Sequence, residues 1–206
     1  MIVEFVKFFL EIDNHLGAAI NNYGIFIYLI LFVIILCETG LVIAPLLPGD
    51  SLLFISGAFA GSGLMNVFVL FFILSIAAIF GDSMNYFVGN YFGKKILHEK
   101  HFVKKSYLDM TYDFYDKYGG KTIIFARFIP IVRTFAPFVA GIGSMNYSKF
   151  LLFNIIGGIL WVGLFLFLGF FFGKIPFVQN NLSLIIIIII AISFVPLVWE
   201  FIKRKR

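Results

Sequence analysis

Between Leu16 and Gly93 the chain carries only three charged side chains, Glu38, Asp50 and Asp82. A water-facing domain cannot clothe its surface with so few charges, so this stretch belongs in lipid. The rest of the chain agrees, with 29 phenylalanines among 206 residues and runs such as "LIIIIIIAI" near the C-terminus. These features predict an all-α polytopic membrane protein. The basic residues are confined to its borders. Lys94, Lys95, Lys100, Lys104, Lys105, Lys117 and Lys121 flank one connection, and Lys203, Arg204, Lys205 and Arg206 form the tail. That distribution marks cytoplasmic loops and is not the continuous basic patch of a nucleic-acid binder.

Four stretches are long enough to cross, at about 24–40, 66–92, 146–172 and 183–201, each close to the roughly 20 residues a bilayer demands. Two further apolar stretches are interrupted. "LVIAPLLPGDSLLFISGAFAGSG" holds Pro45, Pro48, Gly49 and Asp50, and "TIIFARFIPIVRTFAPFVAGIGS" holds Arg127, Pro130, Arg133 and Pro137. Proline removes a backbone donor and turns the preceding residue away from helical space. Each interrupted stretch is expected to be two half-helices around a turn, entering and leaving the membrane on one side. A half-helix of about nine residues reaches ~14 Å, roughly to the midplane. Residues 1–22 place Ile2, Phe5, Phe9, Ile12 and Leu16 at helical spacing with acids off that face, which predicts an amphipathic interfacial helix and not a signal peptide.

Sliding the chain against itself by 80 residues lays "AGSGLMN" (60–66) on "AGIGSMN" (140–146) and "FVGNYFGK" (87–94) on "FLGFFFGK" (167–174). Twelve of the 35 positions from 60 to 94 are identical, including the Gly, Met-Asn and Gly-Lys positions, so a duplication is inferred. Repeat one covers about 41–94 and repeat two about 121–174, inside a single membrane domain of residues 23–206 whose last span is 183–201. A single connection separates the two full spans, so they run in opposite directions and the repeat is inverted. The positive-inside rule then places both termini and the 94–121 connection in the cytoplasm.

Inverted repeats with broken helices and a midplane site are a transporter architecture. Ionisable side chains at that depth are functional by default. The 80-residue offset sets Asp50 opposite Pro130, midway between Arg127 and Arg133. If the hairpin tips meet, Asp50 faces the arginines, and Glu38 at the end of the first span is near enough to join them. Two readings follow. In one, Glu38 and Asp50 neutralise Arg127 and Arg133 and lock the hairpins together. In the other, the arginines form a fork for a phosphate while the acids carry protons or compete for the guanidinium groups. Asp82, opening "GDSMNYFVG", suits helix packing and a secondary site role equally.

Other chemistries find little support. Cys37 is the only cysteine, which excludes an internal disulfide and a multi-cysteine metal site. His15, His98 and His101 lie outside the spans, and Gly61-Ser-Gly63 lacks the Lys-Ser/Thr of a phosphate loop. No Ser/His nucleophile arrangement or paired-Asp metal site is visible in the spans. The sequence thus predicts a non-enzymatic protein with no cofactor and no metal. "MTYDFYDKYGG" (110–120) reads as an amphipathic surface helix ending at Gly119-Gly120.

"CETGLVIAPLLPGDSLLFISGAFA", "GDSMNYFVGNYFGKK" and "FARFIPIVRTFAPFVAGIGSMNYSKFLLFNIIGGILW" resemble the DedA family of bacterial inner-membrane proteins, whose domain is shared with eukaryotic lipid scramblases. The likeness runs from about Tyr23 to Gly173. It implies that the family's functional acids and arginines correspond to Glu38, Asp50, Arg127 and Arg133. It further implies lipid transport, foremost of polyprenyl (undecaprenyl) phosphate across the inner membrane, with proton coupling. A less selective phospholipid scramblase and a membrane-bound lipid-phosphate enzyme are the alternatives, with a structural membrane factor behind them. The expected partners are a phospholipid or polyprenyl phosphate and protons, with no nucleic acid; a homo-oligomer is left open.

Overall fold

The structure is a computed structural model that describes residues 24–40, 49–98, 105–175 and residue 188. The expected interfacial helix at 1–22, the turn with Pro45 and Pro48, and the last span at 183–201 lie outside the described residues. Among those described, the chain is helical and contains no strand. The helices are α1 (Phe26–Gly40), α2 (Gly49–Gly61), α3 (Val67–His98), α4 (Lys105–Tyr118), α5 (Thr122–Ala126), α6 (Pro130–Ile142) and α7 (Tyr147–Phe172). A 3-10 turn, Gly119–Lys121, joins α4 to α5.

Among the described residues, two helices are long and apolar enough to cross a bilayer, Val67–Phe92 within α3 and all of α7. Their outer faces suit lipid. Phe68, Phe72, Ile76 and Phe80 repeat at one-turn spacing on α3, each 57–64% exposed. A stripe of large apolar side chains at that exposure would be a severe liability in water and is an ordinary surface in hydrocarbon.

The repeated Met-Asn positions have a local role. Asn66 caps α3 by accepting bonds from the backbone N–H groups of Phe68 (3.0 Å) and Val69 (3.2 Å). Asn146 does the same for α7, accepting from Ser148 (3.0 Å) and Lys149 (3.3 Å). Each cap satisfies orphan donors at the start of a long helix and contributes about 1 kcal/mol. The preceding turns differ in detail. Gly63 takes φ +85° in the first, and Ser144 takes φ +52° in the second.

The short helices pack crosswise. Helix α2 of repeat one lies mainly on α7 of repeat two, and α6 of repeat two lies mainly on α3 of repeat one. Both contacts bring backbone against backbone. A Cβ at Gly57 or Gly61 would run into the main chain of α7 at Leu166 and Phe170, and one at Gly141 would run into α3 at Tyr86 and Asn90. Gly169 and Gly89, an equivalent pair across the repeat, face the main chain at Phe54 and Phe138. Helices that lack a hydrophobic force between them gain from this close approach through dispersion. Helix α1 completes the bundle by setting Ile27, Leu31 and Ile35 into a core with Leu70, Leu74, Ala77 and Ala78 of α3.

The second interrupted stretch is less symmetric than expected. Its incoming part is the five-residue α5, while its outgoing part, α6, has 13 residues and spans ~20 Å. Pro130 starts α6, where its missing N–H costs nothing. Pro137, expected among the breaks, sits inside the helix. Side chains collect the carbonyls around it. Asn85 Nδ2 donates to Thr134 O (2.8 Å), and Tyr115 Oη donates to Ala136 O (2.9 Å). The "MTYDFYDKYGG" segment forms the C-terminal part of α4, and Gly119 ends that helix with φ +55°.

Candidate functional site

Charge concentrates in two buried clusters. The first gathers around Arg133, which α6 projects one turn after Pro130. Its Nη1 donates to Asp50 Oδ1 at 2.9 Å, and its Nη2 donates to Glu38 Oε1. Glu38 closes α1 and Asp50 opens α2, so one guanidinium fastens three helices. Glu38 Oε1 also accepts the Gly49 N–H at 3.0 Å. Gly49 must lack a side chain, since a Cβ there would fall on the Glu38 carboxylate. Trp161 of α7 seals the cluster from the far side. Its indole Nε1–H donates to Asp50 Oδ1 at 2.7 Å, and its ring lies 4.9 Å from the Arg133 guanidinium carbon.

The second cluster surrounds Arg127, in the turn between α5 and α6. Its Nη2 donates to Asp82 Oδ2 on α3 and to Asn154 Oδ1 on α7, both at 2.5 Å. Asn154 is itself fixed, because its Nδ2 donates to Ile79 O (2.9 Å) and Ser83 Oγ (3.3 Å) on α3. The arginine stem crosses α7 at Gly157, where an added Cβ would come within 3.1 Å of Cδ and Nε. Arg127 and Asp82 are each 1% exposed, and Arg133 is 5% exposed.

Asn154 and Trp161 stand seven residues apart on α7, so the clusters are separated by two turns, ~10 Å. At that separation in a low-dielectric interior, the charges of one cluster act on those of the other. Several polar atoms in them have no hydrogen-bond partner among the described residues: Arg127 Nε and Nη1, Arg133 Nε, Glu38 Oε2 and Asp82 Oδ1. Buried polar atoms of this kind cost free energy until a partner arrives, an acceptor for the guanidinium N–H groups and a donor for the carboxylate oxygens. Three carboxylates face two guanidinium groups, so the fully ionised site carries one excess negative charge. Uptake of one proton would offset that excess charge, while the unmade guanidinium N–H groups remain open to an acceptor.

All five ionisable residues singled out in the sequence are buried here, but they are shared out in two groups. Arg133 meets both Glu38 and Asp50, and Arg127 meets Asp82. Sequence reasoning passed over Asn154 and Trp161. An Asn within an apolar span is a usable signal, whereas nothing local distinguishes Trp161 from a packing residue. A cavity of about 330 Å³ lined by Tyr112, Tyr115, Val139, Met145 and Lys149 lies between α4, α6 and the start of α7, and none of the cluster residues lines it. Among the described residues, no group of His, Cys, Asp and Glu could hold a metal ion.

Comparison with known proteins adds a family context. The VTT domain matches residues 47–171. Protein DedA of Escherichia coli K12 is 51% identical over 210 aligned residues, covering all of this chain and 96% of that protein. An uncharacterized membrane protein of Mycobacterium leprae is 42% identical, covering 80% of this chain and 74% of its own length. Inner membrane protein YqjA of E. coli K12 is 34% identical, covering 73% and 69%. No solved structure matches the chain.

Proposed function

Because the chain belongs to the DedA family of VTT-domain membrane proteins, we propose that it moves a lipid phosphate, foremost polyprenyl (undecaprenyl) phosphate, across the bacterial inner membrane. The observation that carries this reading is the pair of fully buried guanidinium groups with unmade donors. A phosphate monoester on an apolar tail is the natural guest of such a site. Its head replaces lost hydration with charge-assisted bonds while its tail stays in hydrocarbon. Arg127 and Arg133 bind the phosphate, and Glu38, Asp50 and Asp82 serve as counter-charges. When the phosphate displaces the carboxylates, the low-dielectric site favours one proton on the Glu38–Asp50 pair, taken by Glu38 while Asp50 keeps its indole donor, so proton movement accompanies the cycle. Two of the three relatives cited are named as membrane proteins and none of the three is named as an enzyme, which favours transport over a lipid-phosphate enzyme.

The membrane arrangement belongs to the same proposal: four full spans, two re-entrant hairpins in inverted repeats, and both termini cytoplasmic. Crosswise packing of α2 on α7 and α6 on α3 supports it, since a pseudo-twofold axis exchanges those two contacts. With Cys37→Ala in place, single cysteines at Ser106 and Gln179 test the orientation. An impermeant thiol reagent added to intact cells is expected to label position 179 and spare 106. Labelling of both from outside would refute the inversion.

Binding separates the roles of bases and acids. Glu38→Gln and Asp50→Asn are expected to bind lipid phosphate yet fail at gradient-driven turnover, whereas arginine-to-alanine variants lose binding. Normal rate and normal pH dependence in the acid-to-amide variants would remove proton coupling and leave a passive scramblase as the better reading.

A further inference from the structure

The proposed cycle requires Arg133 to leave Glu38 and Asp50 and to return. A carboxylate abandoned at that depth, with nothing else to bond, would hold the arginine too strongly for exchange. Each acid already has a second, neutral donor. Glu38 Oε1 accepts the Gly49 N–H, and Asp50 Oδ1 accepts the Trp161 indole N–H. The donor on Glu38 belongs to the backbone, whereas the indole donor on Asp50 belongs to a side chain. Trp161 is 0% exposed, and it touches both members of the ion pair, Asp50 through its edge and Arg133 through its face. Trp161 makes that double contact while carrying no charge of its own.

We propose that Trp161 is the positioning residue that lets Arg133 exchange partners: its indole N–H stays on the Asp50 carboxylate when the guanidinium departs, and its ring face receives the guanidinium on return. The two contacts favour each other while the arginine is home, because a cation on the ring face leaves the N–H at the ring edge free for the anion. When the arginine leaves, only the face contact breaks. Trp161 is therefore part of the switching machinery and not merely a large side chain filling the interior.

The claim can be tested first without a lipid. Protein carrying Trp199→Phe, so that Trp161 supplies the only indole, is labelled with ¹⁵N at the indole nitrogen and studied in detergent micelles by NMR. The wild-type cluster is expected to give an indole N–H resonance shifted downfield by its carboxylate acceptor. Asp50→Asn, or Asp50→Ala if the amide variant does not fold, should move it upfield. Arg133→Gln should leave it downfield, with Arg133→Lys as the charge-retaining second variant. Loss of the downfield shift in both arginine variants would overturn the proposal, as would indifference of the resonance to both Asp50 changes.

Only the last step rests on the lipid-phosphate reading. Farnesyl phosphate, a short prenyl phosphate, is titrated into the same labelled protein, where it is expected to reproduce the Arg133→Gln spectrum with the downfield shift kept. Loss of that shift on saturation would overturn the role of Trp161. A spectrum unchanged by farnesyl phosphate, with the variant results as expected, would instead count against the lipid-phosphate reading and leave the assignment of Trp161 standing on the variants.

Discussion

The two buried arginines resemble each other in sequence and differ in what they hold. Arg133 joins α6 to α1 and α2 through two carboxylates, over sequence separations of 95 and 83 residues, with Trp161 behind them. Arg127 holds one carboxylate and one amide on the two long helices α3 and α7. The excess negative charge therefore lies in the first cluster, while the second is balanced. The first cluster ties short helices together at their ends. The second is pinned to long helices whose own core is close-packed. One arginine joins the ends of short helices, and the other is held between two long ones.

The largest effect expected from this contrast is on stability. Arg133→Ala strands two buried carboxylates and Arg127→Ala strands one, so both are costly, by ~3–5 kcal/mol before protonation relieves part of it. Thermal unfolding of the detergent-solubilised protein should show Arg133→Ala as the more damaging near neutral pH. The gap should narrow as pH falls, because the two freed acids become neutral. Equal losses at every pH would erase the distinction between the clusters.

Glycine substitutions probe the same contrast without touching a charge. Gly49→Ala would push a methyl group onto the Glu38 carboxylate and remove its neat bond to the Gly49 N–H, costing ~2–3 kcal/mol. Its consequences should appear in the Arg133 cluster, as reduced lipid-phosphate binding together with a lower melting temperature. An unchanged melting temperature would mean that α2 can shift away from α1 at little cost.

Replacing Asn154 tests the fixed cluster. Asn154→Ala removes one of the two acceptors of Arg127 Nη2 and leaves a further buried donor unmet, at a cost of ~1–2 kcal/mol. Asn154→Asp should convert the cluster into a copy of the first, with two carboxylates on one guanidinium, and make its stability fall more steeply with rising pH than wild type. The smallest effect is expected for Gly157→Ala, below ~1 kcal/mol, because the 3.1 Å approach to the arginine stem needs only a few tenths of an ångström of adjustment. A large loss there would show that Arg127 is held far more rigidly than its unmade donors suggest.

Much of this was legible in the sequence because charge is so rare in it. Three acids and two arginines inside apolar runs identify themselves. Partner assignment was not legible. The 80-residue offset places Asp50 midway between Arg127 and Arg133, and only the crosswise packing of the short helices decides that Arg133 receives it. Asp82 reaches Arg127 from 45 residues away because both face α7. The repeated Met-Asn was visible as a pattern, but its work as a helix cap depends on backbone conformation at Asn66 and Asn146. Trp161 was hidden for a different reason. Its part in the site comes from one N–H bond and one ring face, and an indole in an apolar span looks the same whether or not it meets a charge. Pro137 misled because proline argues for a break, whereas α6 runs through it, with side-chain donors from Asn85 and Tyr115 on the neighbouring carbonyls of Thr134 and Ala136.

The central claim is that the buried arginines carry a lipid phosphate across the bilayer. Proteoliposomes loaded with fluorescent polyprenyl phosphate, and in parallel with an equally labelled phosphatidylcholine, measure it directly when an impermeant quencher reports the outer leaflet over time. The account predicts that the protein speeds exchange of the polyprenyl phosphate well beyond that of phosphatidylcholine, that Arg133→Lys and Arg127→Lys abolish the difference while the protein stays folded, and that an imposed pH gradient biases the final distribution. Equal exchange of both lipids, or polyprenyl phosphate exchange that survives loss of both arginines, would contradict it.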